Sequence, residues 1–171
     1  NIIRTPTIRS QHLSSEINGE VFLKLENLQY TSSFKVRGAY TSITRLKEDQ
    51  KKVGVIAMSA GNHAQAVAWW AKKKRVNATI VMPEHAPLFK VMKTKSLGAD
   101  VILRGRTLNE SQTYVSELVN DKKLTLIHPY DDPNVVIGQG TLGLEFMGDV
   151  KDLDLLVIPI GGGGLISGIS I

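Results

Sequence analysis

From residue 53 onward, short apolar runs rich in β-branched residues alternate with stretches whose apolar positions recur every three or four residues. That alternation predicts βαβ units and a parallel sheet. Strands are expected at residues 53–58, 78–82, 101–103, 124–127 and 155–160. Between them, residues 61–74 place Ala64, Val67, Ala68 and Ala71 on one helical face, and residues 87–97 form a helix ended by Gly98. Thr107 and Glu110 form a capping box, hydroxyl and carboxylate each satisfying a free backbone N–H, so another helix starts there. A further helix is expected at residues 134–147. Before residue 53 the pattern changes. Residues 21–26 alternate like a half-buried strand, and Ser33 stands where it can cap a helix whose Val36, Tyr40 and Ile43 share a face. No repeat, low-complexity tract or linker interrupts the chain, so any division into lobes must come from the chain crossing between them.

The 171 residues suit one domain or two small interleaved ones. Hydrophobic residues at 42% and charged residues at 22% fit a globular chain rather than a disordered one or a coiled coil. The absence of cysteine removes a disulfide framework, a cysteine zinc site and a thiol nucleophile. No apolar run reaches the roughly 18 residues of a membrane span. The net charge of +5 raises the question of nucleic acid. Its densest basic run, Lys72, Lys73, Lys74 and Arg75, falls at an expected helix C-terminus, where cations meet the negative end of the dipole, and no aromatic residues interleave it. Neither nucleic acid nor membrane is therefore expected as a partner. The sequence opens on Asn1 and stops a few residues into an expected helix, so a piece of a longer protein is expected.

Three segments carry candidate chemistry. Gly161, Gly162, Gly163 and Gly164 with Leu165 follow an expected strand and open an expected helix, so their backbone N–H groups can converge on a phosphate. Neither the dinucleotide fingerprint nor the P-loop pattern is met, which leaves a monophosphate cup or a tight turn. Ser59, Ala60, Gly61, Asn62 and His63 also join a strand to a helix. They read as a nucleophile elbow with His63 or His128 as base, as a carboxylate pocket, or as a plain cap by Ser59. Lys35 opens a helix beside Arg37, where its ammonium is destabilised. A lone lysine is usually a solvated side chain. A lysine, a phosphate cup and a carboxylate pocket together are the handles that pyridoxal phosphate and an amino acid require.

Residues 32–39 (SSFKVRGA), 59–65 (SAGNHAQ), 128–141 (HPYDDPNVVIGQGT) and 161–165 (GGGGL) resemble, in this order, the fold-type II pyridoxal-phosphate enzymes, in the threonine dehydratase and serine racemase branch. The resemblance runs through essentially the whole chain. Cysteine synthases and threonine synthases usually carry Asp after the lysine and Thr after the Asn, where Val36 and His63 stand here. The resemblance implies an α/β fold with two open, mostly parallel three-layer lobes. Residues 53–130 would form a small inserted lobe, and residues 1–52 and 131–171 part of a larger one that is incomplete here. It implies that Lys35 carries the cofactor covalently, that Phe34 packs on its ring and that Asn62 bonds its ring hydroxyl. Gly161, Gly162, Gly163, Gly164 and Leu165 would hold the phosphate, and Ser59, Ala60, Gly61, Asn62 and His63 the substrate carboxylate.

The implied reaction is dehydration and deamination of L-threonine or L-serine to 2-oxobutanoate or pyruvate and ammonia. It would take place in a cytoplasmic enzyme of amino-acid metabolism that is homo-oligomeric at full length. No metal ligand can be named among these residues. Racemases of this branch place a serine immediately before the Gly-Asn-His, and Ala60 stands there instead, which favours elimination. Tyr130 occupies a pocket position that varies in the branch, while Glu84 and His85 read as loop residues at a helix entrance. Two other readings remain: a serine hydrolase built on Ser59, and a non-catalytic piece lacking the second half of the site.

Overall fold

The period-two pattern of the strands sorts the core into two layers, one on each side of a parallel sheet. The computed structural model describes residues 2–171. In chain order, β1 (Thr7–Arg9), α1 (Gln11–Ile17), β2 (Phe22–Lys24), a 3-10 turn (Glu26–Leu28), α2 (Lys35–Thr44) and α3 (Glu48–Val53) come first. They are followed by β3 (Val55–Met58), α4 (Asn62–Lys74), β4 (Ala78–Met82), α5 (Leu88–Ser96), β5 (Asp100–Leu103), α6 (Leu108–Lys122), β6 (Thr125–Leu126), α7 (Pro133–Asp149) and α8 (Gly164–Ile169). The four parallel strands lie in the order β5-β4-β3-β6, and β1 and β2 form a separate antiparallel pair.

Alternate side chains of the sheet point to opposite faces. Val55, Ala57, Ile80 and Met82 meet Ala64, Val67, Ala68 and Ala71 of α4, with Val36 and Ile43 of α2 in the same cluster. Ile56 and Val81 point the other way, onto Val115 and Leu118 of α6. The face of α4 expected from the sequence is the buried one. At the entry of α6, the Thr107 hydroxyl accepts the Glu110 N–H at 3.2 Å, and the Glu110 carboxylate accepts the Arg106 N–H at 2.8 Å.

Four expectations change. Val53 ends α3 instead of opening a strand, because Gly54, at φ +107°, turns the chain before β3 begins. Two short helices, α1 and α3, have no apolar period to announce them: α1 buries only Ser14 and α3 buries nothing. Ser33 does not cap α2. Phe34 takes the capping position without a side-chain bond, and the Ser33 hydroxyl is buried with no partner. Residues 155–160 form no strand and no backbone hydrogen bond to any other described residue. The alternation survives in burial, with Leu155 and Val157 exposed and Leu156 and Ile158 half-buried, and residues 156–159 line an apolar cavity of about 320 Å³ with Phe22, Leu25, Phe34 and Leu165. A strand needs a neighbouring backbone, and the described residues supply none.

The site is positioned by α7, which lies between α2 and α8. A methyl group on Gly138 would stand 2.6 Å from the Arg37 carbonyl and 2.6 Å from the Gly38 Cα, and one on Gly140 would collide with the Gly168 carbonyl. Both contacts are backbone against helix, so neither can relax by a side-chain rotation. Gly138→Ala is expected to destabilise the protein by about 1–3 kcal/mol, because overpacking outweighs the ~1 kcal/mol that alanine gains in helix propensity. Gly148→Ala, whose added methyl would meet only the end of Arg4 at 3.6 Å, should instead be neutral or stabilising. Urea unfolding of the two variants measures the contrast.

Candidate active site

The β3–α4 loop lies at the C-terminal end of a central parallel strand, where such sheets bind ligands. Ser59 continues the ladder for one rung, its N–H donating to the Val81 carbonyl at 3.1 Å. Its hydroxyl accepts the Gly61 N–H at 3.1 Å, which folds the loop back on itself. No side chain caps α4, so the N-terminal end of this helix keeps its positive dipole uncompensated. Asn62 is exposed at that end and His63 is buried behind it.

The ring of His63 is 3% exposed, and its Nε2 lies 2.8 Å from the Ile127 carbonyl. A carbonyl can only accept, so Nε2 carries the hydrogen and Nδ1 is a bare acceptor, buried without a partner. Burial pushes the imidazole pKa down to about 4, against the weaker opposing effect of the Ile127 bond, and the nearby charges of Lys35 and His128 add to the depression. The imidazole is therefore neutral at physiological pH. Neither His63 nor His128 hydrogen-bonds Ser59; His128 Nδ1 accepts the Asp131 N–H at 2.8 Å. The hydrolase reading has no base for its nucleophile.

Lys35 is the first residue of α2, and its Nζ donates to the Pro129 carbonyl at 2.5 Å. The amine stands 5.4 Å from the Phe34 ring centroid. Burial lowers its pKa, since no carboxylate accompanies it into the cleft. The sequence reading attributes that effect to the neighbouring Arg37 and to the positive end of the helix dipole. The cause is different: Arg37 is committed to Glu26 and Glu145 and does not act on Lys35.

The residue after Pro129 reaches the glycine turn. A methyl group on Gly162 would fall inside the Tyr130 ring, and one on Gly164 would stand 2.9 Å from the Tyr130 backbone. Gly163, at φ +85°, takes a left-handed conformation that other residues rarely adopt, and Gly161 has open space around it. Leu165 is buried beside Phe34 in the apolar cavity. The crossing at residues 127–130 thus touches all three candidate segments: His63 through Ile127, Lys35 through Pro129, and the glycines through Tyr130. Sequence reasoning had marked Tyr130 only as a pocket residue and had missed the two carbonyls, because a backbone acceptor leaves no signature in residue type.

A profile of the family described as "Pyridoxal-phosphate dependent enzyme" matches residues 1–171. The chain belongs to that family. It is 53% identical over 170 residues to a catabolic L-threonine dehydratase of Staphylococcus aureus, covering 99% of this chain and 49% of that protein. Among solved structures, threonine deaminase isoform 2 of Solanum lycopersicum superposes with a TM-score of 0.95 at 42% identity, over 98% of this chain and 46% of the other. Serine racemase of Dictyostelium discoideum gives 0.93 at 39% identity, over 98% and 55%. The chain therefore spans about half the length of these relatives. The α/β fold with its parallel sheet is that of fold-type II members. No helix among the described residues is long and apolar enough to cross a membrane, and no group of three or more metal-binding side chains occurs among them.

The neutral His63 has a measurable consequence. The unfolded chain takes up a proton near pH 6.5, whereas the folded ring resists until about pH 4. The unfolded state therefore binds more protons between these values, and stability is full above pH 6.5 and falls as pH drops through this window. At about pH 5 the loss from this group alone is expected to be about 2 kcal/mol. Comparing unfolding free energies of the protein and its His63→Gln variant at pH 7 and pH 5 checks it: the variant should lose less stability on acidification.

Proposed function

We propose that the protein eliminates water from a β-hydroxy amino acid with the aid of pyridoxal phosphate, converting L-threonine to 2-oxobutanoate and ammonia, or L-serine to pyruvate and ammonia. The observation that carries this reading is the Lys35 amine, deprived of any carboxylate and held by a backbone carbonyl beside a glycine turn. A lysine kept in that state is a nucleophile toward an aldehyde and a base toward a carbon acid. The 53% identity to a threonine dehydratase supports the same reading.

The residues present suit the cofactor. Lys35 would hold its aldehyde carbon, Phe34 would pack beside the ring, and Asn62 would bond the ring hydroxyl. Gly161, Gly162, Gly163, Gly164 and Leu165 would take the phosphate, whose oxygens need backbone N–H donors in a turn free of side chains. When bound, the cofactor supplies an electron sink for charge formed at the substrate Cα. The chain supplies the rest. The loop of Ser59, Ala60, Gly61, Asn62 and His63 would surround the substrate carboxylate, with the backbone N–H groups of Ala60, Asn62 and His63 left to donate to it, since those of Ser59 and Gly61 already donate to the Val81 carbonyl and the Ser59 hydroxyl. The His63 ring cannot take part in that contact, since its free Nδ1 is an acceptor facing another acceptor. The Lys35 ε-amine would stand beside the substrate Cα as the base that takes its proton. The Pro129 carbonyl can hold one N–H of that amine and leave its lone pair free to act. The cleft would lie between a small lobe of residues 53–130 and a larger lobe to which residues 1–52 and 131–171 contribute.

Racemisation is the second reading, supported by the similarity to a serine racemase. It requires an acid on the face of Cα opposite the lysine, and Ala60 has no proton to give.

Adding pyridoxal phosphate to the full-length protein should produce a visible Schiff-base band that Lys35→Ala abolishes, with a fall of about 10²- to 10⁴-fold in 2-oxo acid formation. A band that persists in Lys35→Ala sinks the reading. In the same protein, pyruvate formation from L-serine should outpace interconversion of L- and D-serine; the opposite order would assign it to the racemases.

A further inference from the structure

Arg37 lies two residues after Lys35 on α2, about 200° around the helix axis, so the two side chains leave on opposite sides. Arg37 is 1% exposed, and every N–H of its guanidinium is used. Nε and one terminal nitrogen donate to the two oxygens of Glu26 at 2.9 and 2.8 Å. The two terminal nitrogens donate to the two oxygens of Glu145 at 2.8 Å each, and the remaining N–H reaches the Thr141 hydroxyl at 3.2 Å. The fork therefore ties α2 to the 3-10 turn after β2 and to α7 at once. The bonds extend outward, because Lys24 lies 3.2 Å from Glu145 and 2.8 Å from Asp149, which also takes Thr7 and Arg4.

The side of α2 that carries Lys35 is fastened much less. Its N-cap residue, Phe34, makes no side-chain bond, the hydroxyls of Thr31 and Ser33 in the loop leading to it are buried without partners, and its neutral ties are the Lys35 bond to Pro129 and the Gly38 N–H bond to the Gln139 side chain. The ion-paired anchoring of the helix entry is on the Arg37 side. A buried ion cluster is a poor way to gain stability, since apolar groups of similar volume commonly do as well. What a planar fork between two carboxylates provides and a methyl group does not is direction: it fixes both the rotation of the helix and its position along the axis.

We infer that Arg37 is a positioning residue for Lys35: locked between Glu26 and Glu145, it sets where α2 begins and hence where the ε-amine stands against the Pro129 carbonyl. This rests on the proposed role of Lys35. Misplacement by about 1 Å at a reacting group is enough for losses on the order of 10²-fold, so the effect belongs in the chemistry of the lysine more than in the stability of the fold.

Two variants of the full-length protein test it. Arg37→Lys keeps the charge and loses the fork. A triple variant with Glu26→Gln, Arg37→Met and Glu145→Gln leaves no carboxylate unpaired, and carries the same comparison where the single variant folds poorly. The readouts are the rate at which the Schiff-base band forms on adding pyridoxal phosphate, followed against pH, and the thermal midpoint of the protein without cofactor. The expected result is band formation slowed about tenfold near pH 7.5 in both variants. Its pH midpoint should move up toward that of an ordinary lysine, and the thermal midpoint of the triple variant should be largely retained. A purely structural role would move the thermal midpoint and leave the rate and pH midpoint of the band at their original values; that outcome in a folded variant overturns the inference. If the unsubstituted protein forms no band that depends on Lys35, the functional reading itself falls and this inference with it.

Discussion

The backbone contacts made by α7 are the constraint on which the other features depend. At Gly138 it meets the backbone of α2, and at Gly140 that of α8, with no side chain between. The first of these neighbours begins at Lys35 and the second at the glycine turn, while the segment entering α7 contains Pro129 and Tyr130. The separation of the lysine from the glycines is therefore set by helix radii, which vary little, rather than by the packing of flexible groups. Gln139 adds direction to the first contact, since its side-chain carbonyl accepts the Gly38 N–H at 3.2 Å.

Within this frame the protein buries positive groups in two opposite ways. Arg37 enters the interior with two carboxylates and stays charged; burial opposes its charge, but the bonds to Glu26 and Glu145 prevail and push its pKa up. Lys35 and His63 enter without any acid, and burial favours their neutral forms. The difference follows from solvation: a charge removed from water must be paired or discharged. A discharged amine is reactive, whereas a paired guanidinium is inert and stiff. Of the two residues flanking Val36, one is thus a buried amine with no acid beside it and the other a paired, rigid anchor.

Much of this was legible in the sequence because it is local. The strands at β3 and β4, the buried stripe of α4 and the capping at Thr107 follow from the identity of residues within a few positions. The four motifs also drew attention to Lys35, Asn62, His63 and the glycines. What escaped was long-range or carried by the backbone. Glu26 and Glu145 lie 11 and 108 residues from Arg37, so nothing near Arg37 announces that it is a clamp rather than a charge acting on Lys35. The carbonyls of Ile127 and Pro129 belong to residue types that say nothing about acceptors. The strand pattern of residues 155–160 was read correctly as a pattern, but a ladder is a property of two segments and periodicity describes only one. The short helices α1 and α3 are held by caps and end charges, so the hydrophobic period had nothing to register.

That same apolar segment governs how the chain behaves in company. Leu155 and Val157 are more than 70% exposed in a stretch whose peptide groups find no backbone partner among the described residues, the kind of edge that recruits strands from other molecules. Pro159 withholds one donor from any such ladder, and Asp152 and Asp154 place charge at its entrance, both of which act as gatekeepers against stacking. The segment thus offers an added strand both free peptide groups and an apolar face on which to settle.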